Sequence, residues 1–313
     1  MRLCRIELDG AATAAFYAED RVIPVAAAAA AFAQGTGESM ELDDGDNLLQ
    51  WLPQGMSFDL ARRLAQWLAD NPQEGLGIST AEARLLVPNP RPNKLFLLAG
   101  NYAAHIEEGG GIAAERAETF PYVFMKPPTT TLTHPGDPVR IPTVSPHSID
   151  WELELGVIIG RTCRNVTEAE ALDYVAGFTV VNDISDRQFR PNPERAEREK
   201  DGFFDWLHGK WHDSFCPQGP AVLPAEPGLD PQTLGMQLRV NGQIEQDAST
   251  ADMVFPVAAI VEFISGIVTL EPGDIISTGT PAGVGAAKGR FLKPGDALEA
   301  EIEGIGVLRN PVV

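Results

Sequence analysis

Hydrophobic and polar positions alternate through Ile149-Asp150-Trp151-Glu152-Leu153-Glu154-Leu155 and then give way to the apolar run Val157-Ile158-Ile159, closed by Gly160. Period-two alternation rich in β-branched and aromatic residues predicts a strand over 149–160. On a strand Glu152 and Glu154 share one face, while Trp151, Leu153 and Leu155 share the other. Two same-side residues lie roughly 7 Å apart, close enough for their carboxylates to grip one ion. Without a cation or water between them they repel each other, and a solvated acidic strand face is the plain alternative.

The same reading places further elements. Lys94 to Leu98, Tyr122 to Met125 and Gly177 to Val181 read as strands, the last running into Asn182-Asp183. Asn241-Gly242 between Leu238 and Ile244 signals a tight hairpin. Leu60, Leu64, Trp67 and Leu68 recur at helical spacing, Pro256 to Thr269 has helical periodicity, and Asn165 to Ala171 offers a short helix start. Residues 1–88 look like a separate small module of short strands, an alanine-rich stretch, a polar loop from Gly35 to Asn47 and one amphipathic helix. Three prolines at 88, 90 and 92 make a stiff connection to residues 89–313.

Candidate chemistry gathers in the second module. A third carboxylate, Asp183, at the end of a strand beside Glu152 and Glu154 makes an all-oxygen site suited to Mg²⁺, Mn²⁺ or Ca²⁺. His105 and Glu108 are neighbours on a helix over 103–108, where the carboxylate would fix the imidazole tautomer and suit it to general-base work; a simple surface contact is the alternative. Gly109-Gly110-Gly111 after them can hinge a lid. Lys126 closes an apolar strand, either snorkelling to water or aiming its ammonium into a pocket. Residues 186–213 read as a charge-dense, solvent-facing flap. Gly209 between His208 and His212, with no Glu after His208, rules out the helical zinc-protease motif. The glycine-dense stretch Thr278 to Gly285 lets backbone amides and the Thr278 and Thr280 hydroxyls approach a carboxylate; it is neither a Walker loop nor a dinucleotide fingerprint.

Composition narrows the partners. The chain has 313 residues, 44% hydrophobic and 22% charged, in the ordinary range for a soluble globular protein. Forty-four acidic against 24 basic residues give a net charge of −20, which repels nucleic acid and anionic membrane. An anionic substrate then needs a locally positive pocket. Cys4, Cys163 and Cys216 are odd in number and form no Cys-x-x-Cys, so neither a disulfide framework nor a thiolate zinc site is implied. The N-terminus lacks the apolar core of a signal peptide, and a reduced cytoplasmic setting is the expectation.

Taken together, Gly100-Asn101-Tyr102 with His105 and Glu108, Phe124-x-Lys126-Pro127, Asp150-Trp151-Glu152-Leu153-Glu154-Leu155, and Asn182-Asp183 with Arg187 carry a resemblance to a known family. Gly209-Lys210, Gly219-Pro220, Asn241-Gly242, Leu270-Glu271-Pro272-Gly273-Asp274 and Thr278-Gly279-Thr280-Pro281-x-Gly283-Val284-Gly285 complete it. In order and spacing these motifs resemble the fumarylacetoacetate hydrolase family over residues 94–313. The resemblance implies a mixed α+β, mainly β fold, a β-sandwich roll, preceded by the small α/β N-terminal domain of the longer bacterial members and assembled as a homodimer. It implies Glu152, Glu154 and Asp183 as ligands of Mg²⁺ or Mn²⁺ (Ca²⁺ in crystals), and His105 with Glu108 as a general-base pair on a lid. It implies Lys210 as the group that stabilises an enolate, and Lys126, Arg187 and Thr280 as contacts to metal-bound ligand or substrate carboxylates. The implied substrate is a 2-oxo acid. Hydrolytic C–C cleavage of an acylpyruvate is the favoured activity; a decarboxylase, dehydratase or isomerase of the same family, or a binder without turnover, are the alternatives. Leu98 stands where one branch has a fourth carboxylate, so three are expected here. Asp186 and Arg190 also depart from the common pattern, on the flap that would meet the distal end of a substrate.

Overall fold

In a computed structural model, which describes residues 1–42 and 46–313, one long sheet runs through the molecule. Its path is Ile78–Ser79, Arg21–Pro24, Ala11–Tyr17, Leu3–Leu8, Cys216–Pro224, Val175–Asn182, Leu153–Ile159, Ile275–Ser277, Leu95–Ala99 and Tyr122–Met125. The central strands Leu153–Ile159 and Val175–Asn182 are buried at every position, which fits their continuous Val and Ile content. A four-stranded antiparallel sheet, ordered Gln243–Ser249, Gly235–Val240, Ala297–Ile302 and Gly306–Pro311, packs its Met236, Leu238, Leu298 and Leu308 into one core with Val157, Phe178 and Val180. The fold is mixed α+β and mainly β, with a small α/β region at its N-terminus.

That N-terminal region adds its strands to the same sheet: Leu3 pairs with Val222, and Ile158, Ala176 and Val222 share a core with Leu3, Phe32, Trp51 and Leu64. The alanine-rich stretch is a helix, Val25–Thr36, packed with a second helix, Phe58–Asp70. Part of the predicted polar loop over 35–47 lies outside the described residues. The Asn241-Gly242 hairpin forms as read, with φ of 54° and 77° at its two turn residues. The helix over 256–269 is Val257–Ile267, but the start predicted at 165–171 is displaced to a short 3₁₀ turn, Ala171–Tyr174. Asn165 there takes a left-handed φ of 54° that no helix accepts. No helix among the described residues is long and apolar enough to cross a membrane.

Two differences from the sequence reading bear on the site. The strand over 149–160 is broken into Ile149–Asp150 and Leu153–Ile159, with Trp151 and Glu152 in the break. Asp150 Oδ1 accepts the Trp151 amide at 2.8 Å, diverting it from any ladder. The stretch 186–213 is not an exposed flap throughout. Ser185–Asp186 pairs with Ile149–Asp150, Asp201–His208 is a helix, and Asp186 and Lys210 are buried at its two ends.

Candidate metal centre

Three buried carboxylates meet where the break in the strand faces the end of its neighbour. Glu152, Glu154 and Asp183 each offer an oxygen within 4.8 Å of the other two, and among the described residues they are the one such cluster of His, Cys, Asp and Glu. Glu152 owes its place to the break: its amide donates to Asn182 Oδ1 at 3.0 Å and its carbonyl accepts the Asp183 amide at 2.8 Å. Those two bonds tie the acid on one segment to the acid on the next.

Each oxygen has a distinct environment. Glu154 Oε2 accepts Ser277 Oγ at 2.6 Å and the Gly279 amide at 2.8 Å, while its Oε1 is buried without a partner. Gly279 has a φ of 90°, and a Cβ there would lie 2.8 Å from Asn101 Cβ, so only glycine presents that amide to the carboxylate. Lys210 Nζ donates to Glu152 Oε2 at 2.6 Å and to Asp183 Oδ2 at 2.5 Å. Lys126 Nζ stands 2.5 Å from Asp183 Oδ1 and donates to the carbonyls of Ile184 and Phe215. Its side chain is fully buried, so it does not snorkel. Arg187 pairs through Nη2 with Glu152 Oε1 at 2.6 Å and donates through Nε to Asp150 Oδ2 at 2.8 Å.

The electrostatics are uneven. Burial pushes the Glu152 carboxyl up, but Arg187, Lys210 and His105 outweigh it and hold the group well below the usual carboxylate range. Burial, reinforced by Asp183 and Glu152, pushes Glu154 well above that range. Asp183 is also raised, by burial acting against Lys126 and Lys210. A buried oxygen without a partner, on a carboxyl group short of positive charge and beside two further carboxylates, fits a divalent cation. The donor set, all hard oxygen, fits Mg²⁺, Mn²⁺ or Ca²⁺ rather than a thiolate metal.

The remaining predicted residues lie around this cluster. His105 and Glu108 fall on the helix Ala103–Glu108 with Nδ1 and Oε1 2.8 Å apart, and Glu108 Oε2 accepts the Gly283 amide at 2.9 Å. That bond docks the pair on the glycine-dense stretch. Thr280 Oγ1 accepts Gln246 Nε2 at 2.8 Å, and the Thr278 hydroxyl is spent on the Leu155 carbonyl. Leu98 is buried in the core and supplies no fourth ligand. His208 and His212 form no metal pair: His208 lies against Trp211, and His212 Nε2 faces Asp186 Oδ2 at 3.5 Å. Ser277 and Gln246 hold the site together and were given no role in the sequence, and Asn182 was noted there only as part of a motif; their polar side chains gave no signal of it, since burial alone gives them their weight.

The fold and this cluster define a mainly β protein whose central sheet carries an acidic site of the kind that holds a divalent cation. The chain belongs to the fumarylacetoacetate hydrolase family, whose sequence pattern, described as fumarylacetoacetate (FAA) hydrolase C-terminal, matches residues 94–313. It is 43% identical over 242 residues to the 2,4-didehydro-3-deoxy-L-rhamnonate hydrolase of a Sphingomonas species, covering 76% of this chain and 79% of that protein. It is 36% identical over 291 residues to the mitochondrial oxaloacetate tautomerase of Xenopus laevis, covering 88% and 85%. Among solved structures, maleylpyruvate hydrolase from Sphingobium sp. SYK-6 matches with a TM-score of 0.72 at 30% identity, covering 100% of this chain and 99% of that one. Relatives of these kinds include both hydrolases and a tautomerase.

Proposed function

We propose that the protein is a divalent-metal-dependent hydrolase that cleaves a C–C bond in an acylpyruvate or related 2,4-diketo acid. The observation that carries this reading is the buried cluster of Glu152, Glu154 and Asp183, each offering one oxygen within 4.8 Å of the others, with Glu154 Oε1 left without a hydrogen-bond partner. Glu152, Glu154 and Asp183 would hold Mg²⁺ or Mn²⁺, which when bound polarises the oxygens of a 2-oxo acid. His105, oriented by Glu108, takes a proton from water as that water attacks the remote carbonyl carbon. The C–C bond then breaks, its electron pair passes into the enolate of pyruvate, and a proton returned to that carbon completes the product. Lys210 is the ammonium available to the enolate oxygen. Lys126, Arg187 and Thr280 line the same reading, with the first two acting chiefly on the carboxylates they already hold. The substrate is a small 2-oxo acid, neither nucleic acid nor membrane is a partner, and the working unit is a homodimer.

A second reading, oxaloacetate tautomerisation, is favoured by the likeness to the Xenopus laevis enzyme over most of both chains. It uses the same pair, His105 and Glu108, to take a proton from carbon and return one to oxygen, or the reverse, with no C–C bond broken. Chelator-treated protein resupplied with Mg²⁺ or Mn²⁺ and offered acylpyruvates, diketo-deoxy sugar acids and oxaloacetate separates the two. Pyruvate plus a carboxylic acid supports the hydrolase, and enol–keto exchange without cleavage supports the tautomerase. Glu154→Gln should lose metal and turnover together, whereas His105→Ala should keep the metal and lose turnover. Full activity in metal-stripped protein would refute both readings.

A further inference from the structure

Asp150 lies in the same run of residues as the proposed ligands, is not one of them, and is entirely buried. Its two oxygens receive four N–H donors. Oδ1 accepts the amides of Trp151 at 2.8 Å and Gly285 at 2.6 Å; Oδ2 accepts the Ala286 amide at 2.9 Å and Arg187 Nε at 2.8 Å. A Cβ on Gly285 would stand 2.7 Å from Asp150 Oδ1 and 2.0 Å from the Arg290 carbonyl, so the turn that supplies the second amide needs its glycine. Arg187, fixed by Nε, turns Nη2 onto Glu152 Oε1 at 2.6 Å. The other oxygen of Glu152 is thereby left on the side of Asp183, where Lys210 touches both.

We infer that Asp150 is a positioning residue for the metal centre, acting through Arg187 to fix which oxygen of Glu152 is presented to the cation. This rests on the reading of Glu152, Glu154 and Asp183 as ligands. The role needs a carboxylate. Each oxygen takes two donors, so an amide in either orientation sets its NH₂ against two N–H groups. The same residue joins three separate segments: the break in the strand, the loop carrying Arg187, and the turn at Gly285 that follows the glycine-dense stretch. Loss of Asp150 releases the guanidinium to bind Glu152 freely and compete with the cation for it.

The test is calorimetric titration of Mn²⁺ into chelator-treated wild type, Asp150→Asn, Arg187→Met and the double variant. Partners that orient a metal ligand are worth about 10- to 100-fold in affinity, and Asp150→Asn should weaken Mn²⁺ binding by that factor. In the Arg187→Met background the same substitution should change affinity less than twofold, because the link is already cut. A merely structural role would not produce this dependence on Arg187. Asp150→Asn within twofold of wild type, or an equal loss in both backgrounds, overturns the inference. If Asp150→Asn does not fold, Arg187→Lys decides. Lysine lacks the rigid fork by which Nε holds Asp150 while Nη2 meets Glu152, so a loss of tenfold or more supports the link and a loss under twofold overturns it. Wild type that binds no Mn²⁺ overturns the ligand reading itself, a distinct outcome.

Discussion

Lys126→Met tests whether the lysine holds the carboxylate cluster together or reaches for substrate. Its ammonium is enclosed by three oxygens, Asp183 Oδ1 at 2.5 Å and the carbonyls of Ile184 at 2.8 Å and Phe215 at 2.5 Å, in a side chain with no exposure. Two N–H groups donate to the carbonyls, and the charge is paired with Asp183. Methionine keeps the volume and removes the charge, leaving Asp183 and two carbonyls short of a donor. Removing one partner of a buried ion pair costs about 3–5 kcal/mol. Lys210 still meets Asp183 Oδ2 at 2.5 Å and the desolvation of one ammonium is relieved, which argues for the lower end, about 3 kcal/mol. In a chain of this size each kcal/mol moves the melting temperature by about 2 °C, so a fall of about 6 °C is expected in calorimetry of chelator-treated protein. Saturating Mn²⁺ should recover part of it, since a cation on Asp183 replaces the lost charge. A melting temperature within 1 °C of wild type, with KM raised instead, would refute this reasoning and put Lys126 on the substrate.

Two further outcomes follow from groups outside the cluster. Burial pushes the half-buried His134 imidazole below its ordinary value of 6.5, and its Nδ1 accepts the Val87 amide at 2.9 Å. The fold therefore prefers the neutral ring, and stability is full above pH 6.5 and falls as the pH drops through that value. Urea unfolding at pH 7.5 and 5.5 should show a steeper loss in wild type than in His134→Asn; equal losses refute it. Phe120, Tyr122, Met125, Phe203, Phe204, Trp211 and Ile267 are all exposed; Phe120, Tyr122, Phe203 and Ile267 line one hollow with Trp206, Phe204 rests on Phe203, and Trp211 Nε1 donates to the Met125 carbonyl. Each is about half exposed and of roughly 200 Å², so the face offers ~700 Å², near the ~800 Å² per subunit of a stable dimer. Light scattering should give a dimer that Phe203→Lys with Tyr122→Lys converts to monomer, and a monomeric wild type would refute that face.

What could be read in the sequence was what neighbours in the chain decide. The hairpin at Asn241-Gly242 needs only two residues of positive φ, and the helix Val257–Ile267 needs only its own apolar period. The three acids were legible as candidates because two of them stand two apart and the third ends a hydrophobic run. The break between them was not. It depends on Asp150 meeting the Gly285 amide, 135 residues further along the chain. The same holds for Lys126, whose strand-end position suggests an exposed ammonium until Asp183, Ile184 and Phe215 are brought to it. At 186–213 charge density suggested solvent, yet Asp186, Arg187 and Lys210 spend their charges inward, on His212 and on the acidic cluster.

The charge balance of this interior gives the argument its direction. Asp150, Glu152, Glu154 and Asp183 are four buried carboxyl groups, and the cations that touch them are Lys126, Lys210 and Arg187. Arg187 divides itself between Asp150 and Glu152, and both lysines converge on Asp183. Glu154 receives only a hydroxyl and an amide, and burial beside Asp183 and Glu152 pushes it well above the usual carboxylate range. The carboxyl groups outnumber the cations by one, and Glu154, with Oε1 lacking a hydrogen-bond partner, is the member of the four that no ion pair reaches. At Glu154 either a proton or a metal cation must supply the positive charge, because a bare buried carboxylate beside two others is too costly to persist. A cation held at this centre would displace that proton, so affinity for Mn²⁺ should rise with pH, and an affinity independent of pH would refute this account of Glu154.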